Sequence, residues 1–238
     1  MYTNFVRQLE SLGSRTARFR RVVLHLHSID SHDWAREAID AQRNARARFD
    51  GHAGASLFVD ELRPYLDLVC VTDHMRCGFS TQLSSMIGVK DDFMILPGME
   101  VNFRLSPPLG FARIHLLVIL PEGATSEKFS RLFQGQAGIP DDAERNGREE
   151  VTGVTLSEWV GRVHEEGGIC LAAHVENPQG IRCQFRQTAQ ETLKLFVKGN
   201  GVELERENEV PENLKEYLLD SGLDGIEVHR TKDACHYL

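Results

Sequence analysis

The chain has 238 residues, 41% hydrophobic and 26% charged, which is the composition of an ordinary folded protein long enough to bury a core. Its five cysteines are an odd number without a CxxC pair, which argues against a disulfide framework and favours a reducing compartment. The formal net charge of −8 argues against broad nonspecific binding to nucleic acid.

Targeting and membrane signals are absent from the pattern. The first residues, Met-Tyr-Thr-Asn-Phe-Val-Arg, lack the apolar segment of a signal peptide. No apolar run approaches the length of a transmembrane helix. We therefore expect a cytoplasmic protein without a membrane partner.

Positive charge is concentrated near the N-terminus. Residues 1–48 contain nine arginines and five acidic residues, a net of +4, so the rest of the chain carries −12. Two interpretations are open. The arginines form a solvated helix face, or they form a local patch that faces phosphate groups, as nucleic acid would require.

The predicted elements alternate between helices and apolar strands. In chain order, we predict helices at 3–12, 34–49, 54–65, 80–88, 155–166, 187–198 and 211–221. We predict strands at 22–27, 66–71, 93–96, 114–120, 168–173, 202–204 and 224–229, and one long polar loop at 134–153. This alternation predicts an α/β fold with a parallel sheet, and a β/α barrel fits it better than an open sheet. We expect a single domain over 1–238, with 1–21 as a helical lead-in.

The first strand carries two histidines at alternate positions. Since residues i and i+2 of a strand point to one face, His25 and His27 should stand side by side. Taken alone, such a pair is more often a hydrogen-bonded pair of core histidines than a metal site. Two imidazoles with one direction at a strand end nevertheless suit a divalent cation.

Further ligand types occur at the ends of later predicted strands. His74, Glu100 and His174 each follow a strand, and His115 begins or lies within one. In a parallel β/α architecture, the residues at several strand ends converge on one face. Five histidines and one glutamate in such places therefore predict a coordinated metal.

Several short segments together resemble the successive motifs of the PHP (polymerase and histidinol phosphatase) superfamily. They are His25-x-His27-Ser28, Thr72-Asp73-His74, Pro97-Gly98-Met99-Glu100, His115 and Ala173-His174. The resemblance runs from about residue 22 to the end of the chain. It implies a distorted (β/α)7 barrel with two or three divalent metal ions, for which imidazole ligands favour Mn, Zn or Fe.

The resemblance also implies a ligand set. His25, His27 and Glu100 would hold the first metal, and Glu100 would bridge to a second metal held by His115 and His174. Asp33 and His74 would belong to a third metal, with His32 open as the alternative to Asp33. Glu100, His74 and Asp33 are the expected catalytic residues. Asp73 is expected to orient a liganding histidine.

Two arginines follow the predicted ligands closely. Arg76 comes soon after His74, and Arg182 comes soon after His174. Either guanidinium could bind a substrate phosphate, although an ordinary salt bridge is the commoner role of such residues.

One motif of the superfamily is absent. A late Gly-Ser-Asp-x-His usually closes the site, and this chain has none. We therefore expect the chain to be the N-terminal part of a larger protein, ending before the last barrel strand. The alternative is that Glu227 and His229, on one face of a strand, partly substitute.

The resemblance implies a metal-dependent phosphoesterase that hydrolyses a phosphodiester or phosphomonoester through a metal-bound hydroxide. The segment 27–34 further resembles PHP domains fused to bacterial ATPase modules, some linked to phage defence, which favours a nuclease-like, antiviral role. No GxxxxGK[ST] loop is present, so an ATPase module would lie elsewhere or in a partner. The alternatives are a small-molecule phosphatase of the histidinol-phosphatase type and a non-catalytic PHP module for structure or partner docking.

Overall fold

The computed structural model describes residues 20–32, 44, 46–87, 93–105, 113–136, 147–175, 180–181 and 220–228. In this part of the chain, one sheet contains the strands β1 (Val22–Leu26), β2 (Leu68–Val71), β3 (Met94–Arg104), β4 (Arg113–Ile119), β5 (Ile169–Ala172) and β6 (Gly225–Ile226). The helices are α1 (Gly51–Leu62), α2 (Gly78–Met86), α3 (Ser126–Leu132) and α4 (Leu156–Glu165). No helix among these residues has the length and apolar character needed to cross a membrane.

The strands follow one another across the sheet in the order of the chain, but they are not all parallel. β1, β2 and β3 are parallel, and so are β5 and β6, whereas β4 is antiparallel to both β3 and β5. The prediction of a parallel sheet throughout is therefore wrong. The connection at 105–112 is too short for a crossover helix, because a crossover takes about a dozen residues or more.

The sheet is curled into a half-barrel, so that its two edge strands approach each other at one rim. β1 and β6 are the edges of the sheet, yet His25 Nδ1 on β1 lies 2.9 Å from Glu227 Oε2, just after β6. This arrangement agrees with a partial barrel of mixed α/β type. The (β/α)7 barrel stays a prediction, because 202–204 and 229–238 lie outside the described residues.

β3 is much longer than the strand predicted at 93–96. Its residues Met94–Pro97 pair with β2, and its residues Gly98–Arg104 pair with β4. The Pro-Gly pair therefore marks a change of partner within one strand instead of a strand end. A Cβ at Gly98 would lie 2.7 Å from Thr72 Cγ2 and 3.0 Å from the Val71 carbonyl oxygen. Glycine stands here because neighbouring chains approach the backbone closely.

Two apolar clusters support the sheet. One packs α1 and α2 against β1–β3, and the other packs α3 and α4 against β3–β5 around the fully buried Trp159. α4 begins at a capping box, in which Thr155 Oγ1 accepts from the backbone N–H of Glu158 and Glu158 Oε2 accepts from that of Thr155. The predicted helix at 155–166 is thus confirmed.

The region after β4 differs from its prediction. α3 was not predicted, although its apolar Phe129 and Leu132 have helical spacing and are buried. The described end of the predicted polar loop is anchored: the N–H of Val151 donates to the Asn102 carbonyl, and the N–H of Arg104 donates to the Val151 carbonyl. The predicted helices at 3–12 and 187–198 lie outside the described residues.

The close approach at Gly98 predicts opposite effects for two glycine substitutions. Gly98→Ala should lower the free energy of unfolding by about 1–3 kcal/mol, because the added methyl group overpacks β3 against Thr72 and the Val71 carbonyl. Gly161→Ala is the matched control, since nothing lies near that position inside α4, and it should raise stability by about 0.5–1 kcal/mol. Urea denaturation of both variants measures the difference, and equal effects would contradict this account.

Candidate metal centre

A single carboxylate lies at the middle of the rim. Glu100, on β3, is fully buried, and each of its two oxygens faces two imidazoles. Oε2 lies 3.0 Å from His25 Nε2 and 2.7 Å from His27 Nε2. Oε1 lies 2.6 Å from His115 Nδ1 and 2.9 Å from His174 Nε2. The structure thus brings together the five residues that the resemblance assigned to the first two metals.

The ligand atoms form two triangles that share this carboxylate. In the first triangle, His25 Nε2 and His27 Nε2 are 3.0 Å apart and both face Oε2. In the second triangle, His115 Nδ1 and His174 Nε2 are 3.2 Å apart and both face Oε1. Ligand atoms bound to one ion at 2.0–2.2 Å lie about 3.0–3.5 Å apart, depending on whether the geometry is octahedral or tetrahedral. Each triangle therefore has the donor types of two histidines and one carboxylate on a divalent metal, with its atoms gathered at that spacing or slightly closer.

The direction of β4 places His115 at this rim. An antiparallel strand starts at the edge where its parallel neighbours end, and His115 is near the start of β4, opposite Asn102 in the register. His174 follows the end of β5 and therefore reaches the same edge. The predicted convergence of these side chains is seen in the structure, but the prediction that Glu100 follows a strand is wrong, because Glu100 lies inside β3, where it is bridged to His74 just beyond the end of β2. For His115 the reason for its position is the antiparallel direction of β4.

Outer hydrogen bonds orient the two histidines of the first triangle. His25 Nδ1 lies 2.9 Å from Glu227 Oε2, and His27 Nδ1 lies 3.1 Å from Ser31 Oγ. A partner on the outer nitrogen of a histidine turns its other nitrogen toward a metal and fixes the tautomer. Both Nε2 atoms consequently point at Glu100.

The chain bends sharply at two strand ends beside the centre. Met75, directly after His74, has φ of +52°, and His174 itself has φ of +26°. Non-glycine residues rarely adopt this left-handed region, and such strain is concentrated at functional sites. A backbone hydrogen bond of 2.8 Å from the Met75 N–H to the Glu100 carbonyl holds the first bend against β3.

His74 lies beside the two triangles rather than inside either. Its Nδ1 is 3.5 Å from Glu100 Oε2, and His74, Glu100 and His115 have ligand atoms near enough to share an ion. Its ring centroid is 4.7 Å from that of His27 and also 4.7 Å from that of His32, which is exposed. Asp33, the other predicted ligand of a third metal, lies outside the described residues.

Asp73 does not have the predicted role of orienting a liganding histidine. Its carboxylate is buried and accepts from both the backbone N–H and the hydroxyl of Ser28, the residue after His27. It therefore ties the end of β1 to the end of β2. Burial raises the pKa of Asp73 to about 6, and the two bonds from Ser28 offset part of that effect.

The electrostatics of the centre follow from this crowding. Burial acts to raise the pKa of Glu100, but the hydrogen bonds from four histidines outweigh it and hold the pKa well below its usual range. Burial acts to lower the pKa of His25, but Glu100 and Glu227 outweigh it and raise that pKa to about 9. For His115, burial prevails over Glu100, and its pKa is lowered. The carboxylate is thus ionised at neutral pH.

Asn102 is a neighbour of the site that the sequence analysis missed. It is buried two residues beyond Glu100 on the same face of β3, and its Nδ2 donates to the carbonyls of Gly147 (3.0 Å) and Glu149 (2.9 Å). It thereby holds Gly147 against His74. The two-residue spacing from Glu100 is the signal that could have found it.

The arginines predicted to bind substrate are only partly described. Arg76 is half-buried two residues beyond His74, and Arg182 lies outside the described residues. Among the N-terminal arginines, Arg21 bonds to Asp67, Arg46 donates to the Ser31 carbonyl and Arg48 pairs with Glu61. These three guanidinium groups bind other residues of the protein, so their contacts give no support to a patch that faces phosphate groups.

Comparisons with known proteins found weak structural similarity and no sequence match. No protein-family model matches the chain, and no curated protein matches it in sequence. A Bifidobacterium adolescentis protein provisionally assigned as a metal-dependent phosphoesterase aligns at a TM-score of 0.41 and 16% identity, over 87% of this chain and 77% of that one. An amidohydrolase from Chromobacterium violaceum, solved with bound sulfate and no metal, aligns at 0.41 and 14%, over 87% and 76%. Similarity at this level establishes neither a shared fold nor a shared reaction.

Proposed function

We propose that this chain is a metal-dependent phosphoesterase. The observation that carries the proposal is the pair of donor triangles, each with two histidines, that share the buried carboxylate of Glu100. His25, His27 and Glu100 would hold one divalent ion, and Glu100, His115 and His174 would hold a second. Imidazole and carboxylate donors suit Mn, Zn or Fe. Such a pair of ions supplies positive charge that polarises a phosphoryl group and lowers the pKa of water.

The residues of the chain contribute position and charge. Glu100 places one oxygen in each triangle, so the two sites are held at the separation of a single carboxylate. β1, β3 and β4 belong to one hydrogen-bonded sheet, in which β2 joins β1 to β3, and this keeps these side chains from moving independently. A preorganised set of charges of this kind would stabilise charge that develops on a phosphate.

His74 is the proposed proton carrier. Its Nδ1 lies 3.5 Å from Glu100 Oε2, beside the first triangle, and its ring is packed edge-on against those of His27 and His115. An imidazole in that place would take the proton that the attacking water loses and give it to the leaving oxygen of the substrate. Arg76 and Arg182 are proposed to bind the substrate phosphate, and Asp33 to act with His74.

The substrate class is a further part of the proposal. We propose a phosphodiester, with a nuclease-like role in an ATPase-linked protein of phage defence, on the resemblance of segment 27–34 alone. Arg21, Arg46 and Arg48 bond to other residues of the protein, so these contacts give no support to nucleic-acid binding. A small-molecule phosphatase and a non-catalytic PHP module are the outcomes against which it is tested.

The decisive experiment removes the shared carboxylate. The purified chain with Mn²⁺ should cleave bis-p-nitrophenyl phosphate or single-stranded DNA, and Glu100→Gln should lower kcat/KM by at least about 100-fold, because the shared negative charge is lost, one site keeps only a neutral amide oxygen and the other faces an NH₂ group that cannot bind a metal. Glu166→Gln, on a carboxylate that pairs with Arg131 away from the centre, is the control. Cleavage of p-nitrophenyl phosphate only would favour the phosphatase, and full metal occupancy without turnover would favour the non-catalytic module. Activity that resists both a chelator and Glu100→Gln would overturn the proposal.

The two triangles also predict the metal content of variants. The wild-type chain should bind about two ions, whereas His27→Asn and His174→Asn should each bind about one, because each substitution disrupts a different triangle. Elemental analysis after gel filtration measures this number. His164→Asn is the control, since that histidine pairs with Asp224. Loss of all metal on either single substitution would show that the triangles are not separate sites.

Metal affinity should rise with pH between pH 7 and 9. Because the pKa of His25 is raised to about 9 in the metal-free chain, its ring is protonated at pH 7, and metal uptake has to displace that proton. Glu100 is already ionised and adds no such dependence. Affinity should therefore rise about tenfold per pH unit from pH 7 to 9 and level off above that range. Chelator competition measures it, and a flat profile would contradict the prediction.

A further inference from the structure

Glu227 contacts two of the proposed metal ligands through one oxygen atom. Its Oε2 lies 2.9 Å from His25 Nδ1 and 2.7 Å from the backbone nitrogen of His174, which donates to it. His25 belongs to the first triangle and His174 to the second. A single carboxylate oxygen thus touches both halves of the centre from outside.

The backbone of Glu227 gives this side chain a rigid base. Its N–H donates to the Ala172 carbonyl at 2.8 Å, and its carbonyl accepts from the Val175 N–H at 3.1 Å. Both bonds go to the segment that carries His174. The side chain then reaches across the gap between the two edge strands of the sheet to His25 on β1.

Each contact fixes a different property of its ligand. When His25 is neutral, as metal binding requires, the bond to Nδ1 selects the tautomer that leaves the Nε2 lone pair for a metal. The bond to the His174 N–H holds a backbone with φ of +26°, a conformation that needs support from its surroundings. Neither contact places Glu227 inside a donor triangle.

We propose that Glu227 is a positioning residue that aligns His25 and His174 for metal binding, and that it acts through hydrogen-bond geometry rather than as a ligand. This inference rests on the metal centre of the proposed function. It replaces the idea that Glu227 substitutes for a missing ligand. Removing an outer partner of this kind typically costs 10–100-fold in metal affinity.

Two substitutions separate position from charge. Glu227→Gln keeps an oxygen at the same reach that can accept both hydrogen bonds, but it removes the charge. Glu227→Asp keeps the charge and withdraws the oxygen by about 1.5 Å, the length of one carbon–carbon bond. Glu166→Asp, at the carboxylate that pairs with Arg131, controls for the shortening itself.

The measurement is calorimetric titration of the metal-free chain with Zn²⁺, with circular dichroism and thermal unfolding of every variant. Positioning predicts affinity within about threefold of wild type for Glu227→Gln and a loss of about 10–100-fold for Glu227→Asp. Glu227→Ala should match Glu227→Asp, and it takes its place if that variant does not fold. A larger loss for Gln than for Asp, or no loss in either, would overturn the inference. The inference would also be overturned if Glu227→Gln folded but Glu227→Asp and Glu227→Ala both did not, because Glu227 would then be needed for the sheet and not for the centre.

The Zn²⁺ titration and the cleavage assay together distinguish a failure of this inference from a failure of the proposed function. A wild-type chain that binds Zn²⁺ but cleaves no phosphate ester would overturn the function and leave the role of Glu227 intact. A wild-type chain that binds no metal would overturn both. Unchanged affinity in Glu227→Asp, with an active metal-loaded wild type, would overturn the role of Glu227 alone.

Discussion

The burial of one charged carboxylate is the constraint on which the rest of the structure depends. Glu100 has no solvent contact, and a buried charge is costly unless it is paired and hydrogen-bonded. Its partners are imidazoles that come from β1, from β4 and from the end of β5. Segments far apart in the chain must therefore be in place together before the charge is accommodated, so the fold and the centre stabilise each other.

The sheet meets this constraint through strand direction and curvature. Reversal of β4 brings the beginning of that strand, with His115, to the edge where β3 and β5 deliver their own residues. Curling brings the outermost strands close enough for a side chain of one to bond a side chain of the other. Positive φ at Met75 and His174 bends the chain sharply at this rim.

Around the ligands lies a second set of hydrogen bonds that gives them direction. Ser31 and Glu227 bond the outer nitrogens of the first two histidines, and Asp73 fastens Ser28, so that β1 and β2 end at the same level. Asn102 performs the equivalent task for residues 147–149, since its Nδ2 donates to the carbonyls of Gly147 and Glu149. The geometry of the proposed ligands is consequently a property of several layers of contacts, as expected where orientation determines affinity.

Local pattern by itself determined much of this protein: the side-by-side placement of His25 and His27, the position of His174 after a strand, and the helix that is capped by Thr155. These features depend on period, capping and chain order, which neighbouring residues encode. Only the tertiary structure decided the direction of β4, the continuation of β3 through Pro97 and Gly98, and the partners of Asp73 and Glu227. The physical reason is that strand direction and hydrogen-bond partners are contacts between distant segments, and the alternation of apolar strands and helices is the same for either direction.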